Sequence, residues 1–249
     1  MTRRLRVQRL GLALIKGTRH TDRDEIELDP HGPVGDRTFC LVDGATQRVL
    51  RTVENPSLVQ LVAQDLGDRL AVTTPNGHTT EATTQDAADG IQVADYWGRG
   101  ARIRLQDSEL SAAISQHLGR EVVLARAERG DVVYADPISM VTTGALHRLS
   151  EAITASGYAG PPALDVRFRA TVTVDADEDP APGTRVQLGS AIVEVGEPLE
   201  RCAVIDLDPN TGERVLPRLL EHVRSDDGLL FGVGARVVRP GRVTRLLSD

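Results

Sequence analysis

The chain contains two cysteines, and one of them has neighbours that suggest chemistry. Cys202 follows Arg201 and precedes the turn sequence Asp-Pro-Asn-Thr-Gly at 208–212, which predicts a position at the rim of a sheet. An adjacent guanidinium favours the thiolate, the form of cysteine that acts as a nucleophile and binds soft metals. The alternative is an inert buried thiol, the usual state of a single cysteine. The local sequence leaves both interpretations of Cys202 open.

The other potential metal ligands are scattered along the chain. Cys40 lies among apolar neighbours in Thr-Phe-Cys-Leu-Val, which predicts a buried strand and an unreactive thiol. The six histidines, at positions 20, 31, 78, 117, 147 and 222, show none of the close pairing of a zinc site. A metal bound by this chain would therefore use few protein ligands and bring others with it.

Several cations stand beside strand or turn signals. They are Lys16 before a glycine, Arg37 in Gly-Asp-Arg, and the pair Arg167 and Arg169. Guanidinium groups match phosphate oxygens geometrically, so convergence of these side chains would create an anion pocket. Taken singly, each is a surface charge or a member of an ordinary ion pair. The sequence does not show whether they converge.

Composition excludes several classes of partner. The 249 residues carry a formal net charge of -7, which opposes general binding to nucleic acid or anionic lipid. The apolar residues near the N-terminus are interrupted by Gln8, Arg9 and Lys16, so we expect no signal peptide. No apolar stretch reaches the length of a membrane span. We expect a cytoplasmic protein with no nucleic-acid partner and no membrane association.

The hydrophobic pattern predicts a mainly β fold with a few short helices. Short segments rich in Val, Ile, Leu and Thr alternate with Gly, Pro, Asp or Asn, a rhythm typical of barrels and sandwiches. The predicted strands are 37–42, 58–63, 69–74, 91–96, 102–105, 121–125, 169–174, 185–188 and 191–195. Helical spacing predicts helices over 107–119, 142–153 and 217–223. The acidic loop 175–183 is interpreted as solvated, with a carboxylate metal site as the alternative.

Short motifs follow one another along nearly the whole chain. Those at the two ends and the centre are Ile15-Lys16-Gly17, Gly35-Asp36-Arg37, Val141-Thr142-Thr143-Gly144-Ala145-Leu146, Arg167-Phe168-Arg169 and Arg201-Cys202 followed by Asp-Pro-Asn-Thr-Gly. Together they resemble the MOSC family, named for the C-terminal domain of molybdenum cofactor sulfurase. The resemblance is strongest to two-part members similar to the mitochondrial amidoxime reducing component.

The resemblance implies an architecture and a cofactor. It implies an N-terminal β-barrel-like domain, placed at 1–105, joined to a MOSC β-barrel at 106–249, with the molybdenum cofactor (molybdopterin) in the groove between them. Cys202 would ligate the metal and serve as the catalytic residue. The cofactor-binding residues implied by the matching motifs are Lys16, Arg37, Thr142, Thr143, Arg169, Thr171 and Arg201.

Five positions depart from the pattern of the reductase relatives. They are Thr171 in place of asparagine, Ala170 in place of proline, Ala145 in place of serine, Val53 in place of arginine and Gly234 in place of tyrosine. Residues around a ligand orient it and tune the metal, so the departures bear more on the reaction than on the cofactor.

Three functions follow as hypotheses. The first is a molybdenum-dependent oxidoreductase that reduces N-hydroxylated or N-oxide-like small molecules, with electrons from a separate electron-transfer protein. The second is a sulfur or cofactor carrier acting through Cys202. The third is a metal-free family member with a binding role.

Overall fold

The computed structural model describes residues 2–159 and 164–246. Its strands are β1 (Thr2–Arg4), β2 (Arg6–Leu12), β3 (Thr21–Arg23), β4 (Glu25–Asp29), β5 (Gly32–Pro33), β6 (Phe39–Asp43), β7 (Val62–Asp65), β8 (Arg69–Thr73), β9 (Thr79–Thr83), β10 (Gln85–Asp86), β11 (Gln92–Tyr96), β12 (Arg99–Asp107), β13 (Val122–Ala127), β14 (Ile138–Thr142), β15 (Val172–Asp175), β16 (Arg185–Leu188), β17 (Ala191–Glu200), β18 (Arg224–Ser225), β19 (Gly228–Arg239) and β20 (Gly241–Thr244). The α-helices are α1 (Leu110–Leu118), α2 (Thr143–Ala155), α3 (Leu164–Phe168) and α4 (Leu219–His222). Two 3₁₀ turns cover Pro56–Gln60 and Ala203–Asp206.

The largest sheet combines strands from both ends of the chain. Its order is β1-β16-β17-β19-β14-β15-β2-β3, with β18 added to β19. Strand β2 pairs antiparallel with β15, so Leu10 lies opposite Val172. The side chains of Val7, Leu10, Val174 and Val193 are buried in one core with those of the neighbouring strands. Residues near the start of the chain are therefore part of the C-terminal sheet.

Most other strands of the N-terminal half build two smaller sheets near α1, while β4 and β5 form a third sheet with β20. One has the order β10-β12-β13-β6 with β11 beside β12, and another has the order β7-β8-β9. The apolar face of α1 buries Leu110 and Ile114 against Leu41, Leu58 and Leu124. The buried face of α1 accounts for the apolar residues that recur at helical spacing over 107–119. The predicted helices over 107–119, 142–153 and 217–223 correspond to α1, α2 and α4.

The predicted mainly β fold with a few short helices is confirmed. Closure into barrels is not found among the described strands, because the large sheet runs from β1 to β3 without pairing between these two edges. The predicted strand 58–63 was wrong in its first half, since the chain forms a 3₁₀ turn over Pro56–Gln60 before β7 begins at Val62. The segments predicted as strands leave out β2, β4, β14, β19 and β20 among others, and helix α3 was not predicted.

The division at 105/106 stays a prediction. Strands β2 and β3 lie on the N-terminal side of it but belong to the sheet built mainly by later residues. Of the helices in residues 2–159 and 164–246, none has the length and apolar character needed to cross a membrane.

Candidate functional site

A cavity of about 360 Å³ lies where the large sheet meets the N-terminal strands. Its wall includes Cys202 and Arg201 from the end of β17, Arg169 and Thr171 from the segment before β15, and Lys16 and Arg37 from the N-terminal half. Six of the eight site residues predicted from sequence thus converge on one cavity.

Cys202 is exposed and carries a free thiol. It lies two residues beyond β17 in extended backbone and begins the 3₁₀ turn Ala203–Asp206. Arg167 is buried behind this turn, where its Nε donates to the carbonyl of Ile205 at 2.8 Å and its Nη2 to that of Pro217 at 3.2 Å. The neighbouring arginine of the Arg-Phe-Arg motif therefore holds the turn that presents the thiol. Cys40, in contrast, is buried in β6, as predicted, and burial raises the pKa of its thiol to about 12.

Arg201 has a buried nitrogen without a protein partner. Its Nε donates to the carbonyl of Phe231 at 2.8 Å and its Nη1 to that of Phe168 at 3.2 Å. Its Nη2 is buried and makes no hydrogen bond to any described residue. Burial lowers the pKa of the guanidinium to about 10, opposed by the nearby Cys202. An unsatisfied buried donor costs about 1–3 kcal/mol, so this atom calls for an acceptor supplied by a ligand.

Arg169 and Arg37 reach the cavity from strained backbone. Their φ angles are 52° and 47°, in the left-handed region that non-glycine residues rarely occupy. Arg169 donates from Nη2 to the carbonyl of Thr18 at 2.7 Å, and burial, with the charge of Arg37, lowers its pKa to about 10. Arg37 pairs with the buried Asp36, whose Oδ1 accepts from the Ala13 amide at 2.9 Å. Strain of this kind concentrates at ligand-binding sites.

Lys16 is the only lysine in the chain, which otherwise uses arginine for its cations. Its Nζ lies 5.3 Å from the centre of the Tyr96 ring. Burial, with the charges of Arg37 and Arg169, lowers the pKa of its ammonium to about 7. Lys16 is therefore a cation that can lose its proton near neutral pH.

The three predicted threonines have different positions. Thr171 lies at the cavity, where its Oγ1 accepts from the Ser139 amide at 3.2 Å. Thr142 and Thr143 are not part of the cavity wall. Thr142 accepts from the Ala145 amide at the start of α2 and donates to Asp179 at 2.8 Å, while Thr143 bonds to the carbonyl of Ala176 at 3.3 Å. These bonds fix α2 against the acidic loop, which accounts for both hydroxyls structurally.

Several residues of the cavity wall that could contact a ligand were not predicted from the sequence. They are Arg51, Tyr96, Trp97, Tyr134 and Asp136. A usable signal was composition: the chain has only three tyrosines, three phenylalanines and one tryptophan. In a chain with so few aromatic residues, the adjacent Tyr96 and Trp97 before a glycine indicate a position worth testing for ligand contact.

Asp136 occupies the space that a side chain at position 234 would need. A Cβ on Gly234 would lie 1.9 Å from the Asp136 carboxylate, and one on Gly196 would lie 2.6 Å from it. Glycines on β17 and β19 thus leave room for a carboxylate that arrives from the preceding loop. The lack of a side chain at Gly234 is therefore what allows the Asp136 carboxylate to lie at this place.

The cavity is cationic although the chain as a whole is acidic. Its charged wall residues are Lys16, Arg37, Arg51, Arg167, Arg169, Arg201, Asp136 and Glu200. Six cations against two carboxylates favour an anionic ligand. Among the described residues, no group of three or more His, Cys, Asp or Glu side chains is placed to hold a metal ion. A metal at Cys202 would need ligands from a bound molecule.

Family models account for nearly the whole chain. The MOSC N-terminal beta barrel domain matches residues 4–121, and the MOSC domain matches residues 115–245. The chain belongs to the MOSC family. Membership supports a function related to the molybdenum cofactor.

Two solved structures are similar to this MOSC protein. The YUAD protein from Bacillus subtilis is 13% identical, with 96% of this chain and 91% of that chain covered at a TM-score of 0.46. A Bordetella bronchiseptica protein solved in solution is 16% identical, with 39% of this chain and 75% of that chain covered at a TM-score of 0.31. No curated protein matches the sequence.

The residues present fit the molybdenum cofactor. An exposed thiol suits a soft metal, and the orphaned Nη2 of Arg201 suits a buried anionic oxygen. Lys16, Arg37 and Arg169 add positive charge to the wall of the same cavity.

Proposed function

We propose that this protein is a molybdenum-cofactor-dependent reductase of N-hydroxylated or N-oxide-like small molecules. The observation that carries the proposal is the unpartnered Nη2 of Arg201 beside the exposed thiol of Cys202 in a cationic cavity. The family supplies the class of cofactor, and the reaction is the finer step that we add.

Each wall of the cavity has a role in this proposal. Cys202 would hold molybdenum through its Sγ, while Arg201, Arg169, Arg37 and Lys16 would hold the pterin and its phosphate. Arg167 keeps the turn after Cys202 in place through two carbonyl contacts. Charge-assisted hydrogen bonds from guanidinium to phosphate are roughly twice as strong as neutral ones, so the arginines would dominate affinity.

Bound cofactor would supply the two-electron chemistry that the protein side chains lack. Conversion of an N–OH group to N–H takes two electrons and two protons and releases water. The electrons would come from a separate electron-transfer protein. Lys16 lies in the cavity wall, where burial lowers the pKa of its ammonium to about 7, and a bound anion would oppose that shift and keep Lys16 charged.

The first experiment measures the cofactor. The protein is purified from cells that make molybdenum cofactor, and molybdenum and released pterin are counted per chain for the wild type, Cys202→Ala and Cys40→Ala. We expect near-stoichiometric amounts in the wild type and Cys40→Ala, and a sharp loss of molybdenum in Cys202→Ala. The same preparations are then assayed with a chemically reduced viologen dye and N-hydroxylated amidines.

Two results would contradict the proposal. Wild-type protein with neither pterin nor molybdenum would exclude the reductase and would direct attention to a metal-free binding role. Sulfur transfer that requires Cys202 but no pterin would support the carrier instead.

A further inference from the structure

Aromatic side chains are concentrated at one cavity in a chain that has few of them. Tyr96, Trp97, Tyr134 and Phe168 line the cavity, and Phe231 stacks on Phe168 with ring centres 4.1 Å apart. The chain contains only seven aromatic residues of these three types. Five of the seven therefore lie in or directly behind the cavity wall.

Trp97 and Tyr134 form the outer rim of the cavity, which we call the aromatic lip. Their ring centres are 5.5 Å apart and the planes are inclined by 60°. Both are well exposed, at 44% and 56%. The Arg51 guanidinium lies 4.1 Å from the centre of the Trp97 ring and orients it. Large aromatic surface left in water at the mouth of a cavity is available for a ligand.

Trp97 lies at the rim because it occupies a strained position in the tight turn between β11 and β12. Trp97 and Gly98 form the two-residue connection between β11 and β12, with φ angles of 58° and 76°. Positive φ at both positions is typical of a type I′ hairpin, whose preferred first residue is Asn, Asp or Gly. A bulky side chain there costs free energy that a purely structural turn would avoid.

The chemistry of the wall divides the cavity in two. Its inner part carries Arg201, Arg169 and Lys16 and suits the anionic cofactor of the proposed function, whereas the lip presents π surface. The volume of about 360 Å³ belongs to the whole cavity, inner part and lip together, so the part beside the lip suits only a small molecule.

We infer that the aromatic lip binds the flat aromatic body of the substrate and selects aryl over alkyl N-hydroxylated compounds. The inference rests on the proposed function for the reaction but concerns a separate step, the recognition of the part that does not react. Stacking between aromatic groups contributes about 0.5–1.5 kcal/mol beyond the area buried, which corresponds to a preference of up to about tenfold.

Binding can be measured without turnover, because Trp97 is the only tryptophan. The probe is benzamidine, titrated into the cofactor-loaded protein while tryptophan emission is recorded, with acetamidine as the alkyl comparison. We expect saturable quenching by benzamidine and a dissociation constant raised about tenfold in Tyr134→Ala. Equal responses to the two amidines, or unchanged affinity in Tyr134→Ala, would overturn the inference.

Selectivity is then measured by kinetics on benzamidoxime and acetamidoxime. We expect Trp97→Asn and Tyr134→Ala to lower the ratio of kcat/KM for aryl over alkyl substrate about tenfold, mainly through KM for the aryl compound. Trp97→Phe should restore most of the ratio. The matched control is Tyr158→Ala, an exposed tyrosine outside the cavity that packs on His222.

The two proposals fail differently. A wild type that reduces neither amidoxime but binds benzamidine at the lip refutes the reaction and supports the lip. If the wild type reduces both amidoximes but the lip variants leave the aryl-to-alkyl ratio of kcat/KM unchanged, the lip is refuted and the reaction is not. The same conclusion follows if Tyr158→Ala changes that ratio as much as the lip variants do.

Discussion

Single residues at the cavity carry costs in the free protein that a bound ligand would offset. The left-handed backbone of Arg37, Trp97 and Arg169 and the unpartnered nitrogen of Arg201 each reduce stability in the free protein. Binding energy can offset such costs because the groups are already placed for contact.

Replacing Trp97 tests whether its position is strained. We expect Trp97→Asn to keep the melting temperature within about 2 °C of the wild type or raise it, because asparagine adopts positive φ at low cost and compensates for the lost contact with Tyr134. The measurement is thermal unfolding followed by circular dichroism. A fall of more than about 5 °C would mean that the indole stabilises the fold and is not held at the rim for binding.

Lys16 should titrate near neutral pH. Burial of the ammonium lowers its pKa from 10.5 to about 7. Since the chain has one lysine, labelling with ¹³C-lysine gives a single set of side-chain resonances, and we expect the Cε signal to shift with a midpoint near 7. A midpoint close to that of free lysine would contradict the burial of the charge.

The same shift sets a pH dependence of stability. Between pH of about 7 and 10.5 the unfolded chain holds a proton on Lys16 that the folded protein lacks, so this group's contribution to stability rises with pH across that window. We expect Lys16→Met to gain most over the wild type at or below pH 7 and to lose that advantage toward pH 10. Denaturant unfolding of both proteins at several pH values measures the difference, and a constant or growing advantage would be evidence against the linkage.

Secondary-structure elements position the site through a few close contacts. Helix α2 begins against the acidic loop, where a Cβ on Gly144 would lie 2.1 Å from the carbonyl oxygen of Asp177. The glycine of the Thr-Thr-Gly-Ala-Leu motif thus permits the backbone of α2 to approach that loop. Backbone atoms cannot move aside as the end of a side chain can.

Gly144→Ala should destabilise the protein by about 2 kcal/mol or more, because overpacking against backbone forces α2 away from its loop. Denaturant unfolding measures the change. His147→Ala, at an exposed position of the same helix, is the matched control and should change stability by less than about 0.5 kcal/mol. Equal effects of the two substitutions would show that the close approach is not a constraint.

Local signals in the sequence predicted individual helices and strands better than they predicted which distant segments contact each other. Helices α1 and α2 were predictable because their apolar spacing and caps are local, and Cys202 because its neighbours Arg201 and the following turn are adjacent in sequence. Strand β19 was missed because glycines at 228, 232 and 234 interrupt its apolar pattern. The convergence of Lys16 with Arg169, and the rim formed by Trp97 and Tyr134, depend on contacts between distant segments that no local pattern records.

At the scale of the whole molecule, the two ends of the chain complete each other. Strand β2 pairs with β15, and β20 pairs with β4, so each half contributes strands to sheets of the other. The core that contains Leu10 and Val174 is shared in the same way. The cavity lies at this junction and exists only when both halves are folded.

A chain cut at the predicted boundary should therefore not fold by itself. We expect residues 106–249 to lack a cooperative unfolding transition, because β15 loses its partner β2 and apolar core surface is exposed. The full chain should unfold in a single transition. Circular dichroism and calorimetry compare the two, and an independently stable fragment with a sharp transition would support the division at 105/106.

The two cysteine thiols of this protein differ in their access to solvent because of where folding places them. Cys40 is sealed within β6, while Cys202 faces the cavity. An oxidant or an alkylating agent in the surroundings therefore meets one accessible thiol per folded chain, and the proposed activity depends on that thiol. Damage and function coincide at a single atom, so a bound metal would also act as a protecting group, and the protein would be most vulnerable in the interval between its folding and its loading.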